Sequence, residues 1–353
     1  MATLAQAIRL ALHIGETRLG VTDVFGEDVG PPLGGVFTCT QGLTTAWNTP
    51  LDERGIVGTA FGLALAGERP VAEIQFCDYI YNTIDLLKLA GNCCWSSMGQ
   101  FPVPMVLMSP VGSGIHGSIY HSHSFDAIAT HIPGWKVVLP STPLDTYGLM
   151  ISAIKDPNPV MFLYPKALIR HQGNEKIPGE PDDPKVLSRM IDAPVGTSRE
   201  HWRPAWPELP DFEIPIGSAK CCRPGEHLTV LTYGRTVPLC EQAAQKLFEQ
   251  EGISAEVIDL RTLFPYDGEM ILASTRKTGR LLVVNEDTEV TNFGEHLIRV
   301  LTEHCFYHLQ APPRLLAGAN TPGVGLSWNL ERVSVPQLDA IHAAMREVAL
   351  TEA

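Results

Sequence analysis

The chain has 353 residues, 44% of them hydrophobic and 18% charged, with a formal net charge of −13. That length divides naturally into two domains, and an acidic chain without a Lys/Arg cluster argues against nucleic acid as a partner. No apolar run reaches the ~20 residues needed to span a bilayer, and cysteines scattered without C-x-x-C spacing fit a reducing cytosol better than a disulfide or zinc framework.

In chain order, Met1–Arg9 reads as an amphipathic helix and lacks the basic start and cleavage site of a signal peptide, so a cytoplasmic location is expected. Gly20–Phe25, Val71–Phe76, Val103–Met108, Trp135–Leu139 and Val160–Tyr164 read as buried strands, separated by helical patterns at Gly55–Leu65, Asn82–Ala90 and Thr146–Ile154. Strands alternating with helices imply βαβ units and a mostly parallel, doubly wound sheet. From Gly173 to Ile214 the pattern stops and prolines crowd the chain, which reads as an interdomain linker wrapping a surface, with Trp202 and Trp206 as anchors. Alternation resumes at Leu228–Tyr233 and runs to a final helix over Val335–Ala349, giving a second, smaller α/β domain. The expected division is 1–172, linker 173–214, and 215–353.

Four segments could carry chemistry. Asn48-Thr49-Pro50-Leu51-Asp52-Glu53 places a carboxylate at the mouth of a helix whose Gly55, Gly58, Gly62 and Ala66 share one nearly bare face. A glycine inside a helix costs ~1 kcal/mol, so such a stripe suggests close approach of another backbone, a subunit or a flat ring. Glu53 by itself also reads as an ordinary first-turn carboxylate favoured by the helix dipole, worth ~0.3–1 kcal/mol. Glu73-Ile74-Gln75-Phe76-Cys77-Asp78-Tyr79 ends a strand, where open α/β sheets place ligands. The Gly/Ser-rich run Gly112–Ser124 carries His116, His121 and His123, suited to proton transfer near neutrality and compatible by spacing with a metal, although no supporting carboxylate is evident. Ser152–Pro159 ends a helix, where carbonyls with Asp156 and Asn158 could hold a hard cation or form an ordinary turn.

Taken in order, Gly26-Glu27-Asp28-Val29-Gly30, Gly34-Gly35-Val36-Phe37, Asn48–Glu53, Ala72–Tyr79, Tyr120-His121-Ser122 and Asp259-Leu260-Arg261-Thr262-Leu263 resemble the beta chain of the thiamine-diphosphate-dependent 2-oxo acid dehydrogenases, a transketolase-like family. The Gly-Gly-Val-Phe and Glu-Ile-Gln-Phe forms are nearer the branched-chain (2-oxoisovalerate) type than the pyruvate type. The resemblance implies a pyrimidine-binding domain followed by a transketolase C-terminal domain. It implies oxidative decarboxylation of a 2-oxo acid with acyl transfer to a lipoyl group. It assigns Glu53 to the aminopyrimidine ring of the cofactor, where a shared proton activates the thiazolium carbon. Gln75, Phe76 and Tyr79 would line the same pocket, His121 would handle protons in acyl transfer, and Ala153, Ile154, Asp156 and Asn158 would hold potassium.

The chain has no Gly-Asp-Gly with a following asparagine pair, the pattern that holds Mg²⁺ and pyrophosphate in such enzymes. The resemblance therefore implies a separate alpha subunit carrying that half of the site, an α₂β₂ assembly, and a lipoyl acyltransferase as a further partner. His123, Asp52, Met108 and Asn92-Cys93-Cys94-Trp95 depart from the family pattern and bear on which 2-oxo acid is used. A pyruvate- or acetoin-directed relative and a non-catalytic scaffold are the competing readings.

Overall fold

The computed structural model describes residues 1–194 and 202–351. By internal contacts the chain forms two compact units, Met1–Pro110 with Ile132–Tyr164 and Leu168–Ile216, and Val111–His131 with Pro165–Ala167 and Gly217–Ala353. The first runs α1 (Leu4–Arg18), β1 (Asp23–Gly26), β2 (Ala46–Asn48), α2 (Glu53–Leu65), β3 (Pro70–Glu73), α3 (Ile84–Ser96) and β4 (Val106–Val111). After the excursion 111–131, which contains the short helix α4 (Asp126–Thr130), it continues with β5 (Lys136–Val138), α5 (Pro143–Lys155), β6 (Val160–Pro165) and α6 (Pro184–Ile191). Its strands lie in the order β5-β6-β4-β3-β1-β2, and β1 pairs parallel with both β2 and β3.

The second unit holds β7 (Lys220–Arg223), β8 (Leu228–Thr232), α7 (Thr236–Glu251), β9 (Ala255–Asp259), β10 (Thr262–Phe264), α8 (Gly268–Thr278) and β11 (Leu281–Thr288). It ends with α9 (Phe293–Cys305), β12 (Arg314–Gly318), α10 (Trp328–Ser334) and α11 (Leu338–Leu350). The sheet order is β12-β11-β8-β9-β7, parallel except where β7 runs against β9. Doubly wound α/β architecture thus holds in both halves. Two boundaries move for a clear reason. The strand expected at Val103–Met108 begins at Val106, because Pro104 has no N–H to give a ladder. The final helix expected over Val335–Ala349 begins at Leu338, just after Pro336, and a further helix, α10, precedes it. Among the described residues no helix is long and apolar enough to cross a membrane.

Helix α1 is not the amphipathic surface helix its sequence suggests. Thr3 and Gln6 form a capping box at its start, and every residue from Leu4 to Leu12 is buried, Arg9 included. It packs along α5, and the Pro-rich stretch covers it. That stretch carries α6, stacks Trp206 on His13 with ring centres 4.2 Å apart, and gives the Pro210 carbonyl to the Tyr147 hydroxyl at 2.5 Å. Trp202 and Pro204 lie against Gly42. The Gly173–Ile214 segment is therefore packed on its own unit over its described part, while residues 195–201 lie outside the described residues.

Arg9 is the polar centre of this packing. Its guanidinium donates to the Thr38 carbonyl (2.9 Å), to the Ile191 carbonyl and to Asp192 Oδ1 (2.9 Å). Burial lowers its pKa and Asp192 opposes the shift. Truncation would leave buried carbonyls without a donor. Arg9→Ala is expected to lose about 2–4 kcal/mol in urea unfolding; a loss below ~0.5 kcal/mol, the range of neutral surface changes, would refute this role.

Glu73, at the end of β3, is fully enclosed rather than presented to a ligand. Its Oε2 accepts the Tyr164 hydroxyl at 3.2 Å, and burial pushes the carboxyl up from 4.5 to about 8. Below pH 4.5 it is protonated whether folded or unfolded. Between 4.5 and about 8 only the unfolded chain releases the proton, so stability falls as pH rises, and above 8 the loss is complete. Glu73→Gln, which cannot ionise, should gain stability over the parent across that window by about 1.4 kcal/mol per pH unit at most. Equal pH dependence of unfolding in the two proteins would overturn the assignment.

Candidate functional site

Sheet register builds the first half of the site. Gly26 of β1 pairs with Glu73 of β3, so Glu27-Asp28 and Ile74-Gln75 leave the sheet side by side at the carboxyl ends of neighbouring parallel strands. Gln75 Nε2 donates to Asp28 Oδ2 at 3.2 Å. Glu53 arrives at the same end because α2 follows β2 directly.

The helix cap is made by its neighbour. Asp52 is the N-cap of α2, its Oδ1 accepting the Gly55 N–H at 3.0 Å. Asp52, where the resembling family has serine or cysteine, is thus a residue type that caps well. It also leaves the Glu53 carboxylate outside the capping role, facing Asn82 Nδ2 at 3.4 Å. Glu27 lies close enough to feel it: burial, then Asp28 and Glu53, raise the Glu27 carboxyl above its ordinary range.

Aromatic rings bound the same opening. Phe76, largely buried, meets Phe37 and Tyr79 edge-on at centroid distances of 6.0 and 6.1 Å. The 3₁₀ turn Cys77–Thr83 that carries Tyr79 packs on α2. Carboxylates next to ring edges suit a flat, nitrogen-rich heterocycle that donates hydrogen bonds. The residues present thus fit the aminopyrimidine part of thiamine diphosphate. Among the described residues no cluster of three or more His, Cys, Asp or Glu side chains suits a metal ion, and the histidine run is no exception.

His121 belongs to the second unit, on the excursion 111–131. Three carboxylates from the C-terminal part of the chain hold that excursion by its backbone. Glu286 accepts the Ser113 N–H (3.1 Å) and hydroxyl (2.9 Å), Glu331 accepts the His116 N–H (3.1 Å), and Asp287 accepts the Ala127 N–H (3.1 Å). Gly112 leaves room for Glu286, whose Oε1 would lie 2.0 Å from a Cβ there. His121 Nδ1 lies 3.1 Å from the Gly117 carbonyl. A carbonyl only accepts, so in this contact Nδ1 is the donor. Within the excursion, burial first and then Asp287 and Glu286 push the Asp126 carboxyl well above its ordinary range.

At the 153–158 turn, Arg69 donates to the carbonyls of Ile154 and Asp156, and Lys136 pairs with the Asp156 carboxylate. Asp156 Oδ1 also accepts the Asn158 N–H at 2.9 Å, and the Ala153 carbonyl accepts the Asp156 N–H at 3.4 Å. Of the groups read as a potassium site, the Ile154 carbonyl and the Asp156 oxygens are served by two built-in cations, so potassium would have to share those. On the bare face of α2, a Cβ on Gly55 would meet the Asp52 carboxylate at 2.6 Å, but among the described residues one on Gly62 would meet nothing within 4 Å and one on Gly58 only Leu86 at 3.7 Å.

Sequence reasoning named Glu53, Gln75, Phe76, Tyr79 and His121, and the first four are gathered on one unit. It missed Asn82, Glu286, Asp287 and Glu331. Nothing local marks them; only the long-range contacts do. A cavity of about 210 Å³ in the second unit, lined by Phe264, Tyr266, Phe293 and His296, involves none of the residues singled out from sequence.

The transketolase pyrimidine-binding domain family matches residues 2–172, and the transketolase C-terminal domain family matches 217–341. The chain is 41% identical to the 2-oxoisovalerate dehydrogenase subunit beta of Pseudomonas aeruginosa, over 91% of this chain and 88% of that one. It is 37% identical to the protein of the same name from Bacillus subtilis, over 97% of each. It is 39% identical to the pyruvate dehydrogenase E1 component subunit beta of Acholeplasma laidlawii, over 98% of each. Among solved structures, a split gene transketolase described as an inactive beta4 tetramer superposes with a TM-score of 0.71 at 17% identity over the whole of both chains, which is a likeness of fold. The chain therefore belongs to the thiamine-diphosphate-dependent, transketolase-like family of 2-oxo acid dehydrogenase beta subunits.

Proposed function

We propose that this chain is the beta subunit of a cytoplasmic 2-oxo acid dehydrogenase acting on a branched-chain substrate, working with an alpha subunit in an α₂β₂ assembly and passing its acyl product to a lipoyl acyltransferase. The observation that carries the reading is Glu53. Relieved of capping by Asp52, it faces Asn82 of the turn that carries Tyr79 and acts on Glu27 at the end of β1, next to the Asp28 that holds Gln75. Thiamine diphosphate, when bound, supplies a nucleophilic carbon and an electron sink for decarboxylation.

In this reading Glu53 holds a proton against the ring nitrogen of the aminopyrimidine, while Gln75, braced on Asp28, and the Phe76 and Tyr79 rings orient that ring and exclude water. His121, its Nδ1 fixed on Gly117, uses Nε2 to move the proton in acyl transfer. The alpha subunit supplies the Mg²⁺ and pyrophosphate half, which this sequence lacks. The exposed small-residue face of α2, flanked by exposed Leu51 and Leu65, suits close packing by that subunit. Potassium at the Ala153–Asn158 turn would share the Ile154 and Asp156 oxygens with Arg69 and Lys136.

Reconstitution with an alpha subunit from the same source tests the reading. The lone chain should be inactive, and the pair should decarboxylate 3-methyl-2-oxobutanoate faster than pyruvate or acetoin; a preference for pyruvate would reassign the substrate. Glu53→Gln should cost about 10²–10⁴-fold in decarboxylation, and unchanged activity would refute the mechanism. His121→Ala should cost about 10²-fold or more in acylation of a lipoyl domain while dye-linked decarboxylation stays near the parent rate. Equal loss of both reactions would remove His121 from the acyl-transfer role.

A further inference from the structure

The excursion carrying His121 contains a feature that proton transfer alone does not require. His116 and Ser118 both adopt left-handed backbone conformations, with φ of 55° and 64°. Neither residue type favours this, and the cost is ~1–2 kcal/mol per residue. Something must hold the turn. Glu331 of α10 is nearly enclosed, 5% exposed; its carboxylate accepts the His116 backbone N–H at 3.1 Å, and the ring Nδ1 of His116 lies 3.4 Å from it without a hydrogen bond. The His116 ring also lies on Trp328 of the same helix, at a centroid distance of 5.1 Å. Helix α10 thus grips the turn through its backbone and through its side chain.

The next residue links that grip to His121. The Gly117 carbonyl faces His121 Nδ1, and a Cβ on Gly117 would fall 2.6 Å from His121 Cβ, so glycine is needed for the approach. Farther along, Ile119 packs on Gly323 of the segment that leads into α10, where a Cβ would come within 2.6 Å. The order of contacts is Glu331 to His116, the peptide at Gly117, then His121 Nδ1.

We propose that Glu331 is a positioning residue for His121: by pinning His116 in the left-handed conformation it aims the Gly117 carbonyl at Nδ1 and so presents Nε2 for acyl transfer. This rests on the role proposed for His121 above, but its geometry can be tested without turnover. Glu331 stands some 210 positions along the chain from its target, on the order of the spacing that only a folded unit can bring together.

Two readouts test it. The first is the ¹⁵N signature of His121 in the full chain labelled at histidine and assigned with His121→Ala. The parent should show a protonated Nδ1, Glu331→Ala a mixture of tautomers, and Glu331→Ala/His116→Gly a return toward the parent, because glycine takes the left-handed conformation at little cost. The second is kinetics with the alpha subunit. Glu331→Ala should lower kcat of lipoyl-domain acylation about 10²-fold, the isosteric Glu331→Gln about 10-fold, with KM for the 2-oxo acid and dye-linked decarboxylation both within about twofold. The added His116→Gly should recover roughly tenfold of the Glu331→Ala loss.

A folded Glu331→Ala protein with the parent tautomer and parent acylation rate overturns the proposal. So does a loss that His116→Gly fails to relieve, which would mark Glu331 as a general structural support. If His121→Ala itself leaves acylation unchanged, the catalytic reading of His121 fails, while the tautomer measurement still decides whether Glu331 positions the ring.

Discussion

Capture of a backbone loop by buried carboxylates is the constraint on which the second half of this molecule depends. Glu286, Asp287 and Glu331 each accept main-chain N–H groups from residues 113, 127 and 116 of the excursion. Charged acceptors make such bonds about twice as strong as neutral ones. A buried carboxylate also cannot be left without donors except at a cost of several kcal/mol. The loop therefore gains a fixed shape, and the carboxylates gain the donors that make their burial tolerable. The result is that His121, coded between two strands of the first sheet, folds with the C-terminal sheet instead.

The first unit uses the same economy with the opposite sign of charge. Arg9 sits inside a helix enclosed on all sides and satisfies carbonyls from Thr38 and Ile191 as well as Asp192. Arg69 does likewise for Ile154 and Asp156. In both places a guanidinium, with five donors in a rigid fork, ties a carbonyl at the end of a helix to one beyond it or in a loop. Glu73 is the exception, enclosed with a tyrosine hydroxyl and no cation, so it stays protonated near neutrality.

Much of this was legible from residues alone. The alternation of apolar runs and helical periods marked out both sheets, and the small spacings from Asn48 to Glu53 and from Glu73 to Tyr79 placed the polar ends of β2 and β3. Short-range signals were weaker where long-range packing decided the outcome. Leu4–Leu12 has the period of a surface helix yet is buried, because α6 and Trp206 cover its polar side. The proline-rich stretch read as a linker because prolines remove ladder donors, although it still packs through side chains and carbonyls. Asp52 looked like a departure from pattern and proves to be the cap that leaves Glu53 available.

The sequence by itself determined the two-domain α/β class and the family, and it singled out Glu53, Gln75, Phe76, Tyr79 and His121 as candidates, because these depend on local periods and on short ordered motifs. Only the tertiary structure decided that Asp28 braces Gln75, that Arg69 and Lys136 serve the 153–158 turn, and that Glu331 grips the His116 turn. Those contacts join residues dozens to hundreds of positions apart. Hydrogen-bond partners at that separation are chosen by strand order and register, which no local pattern of residues records.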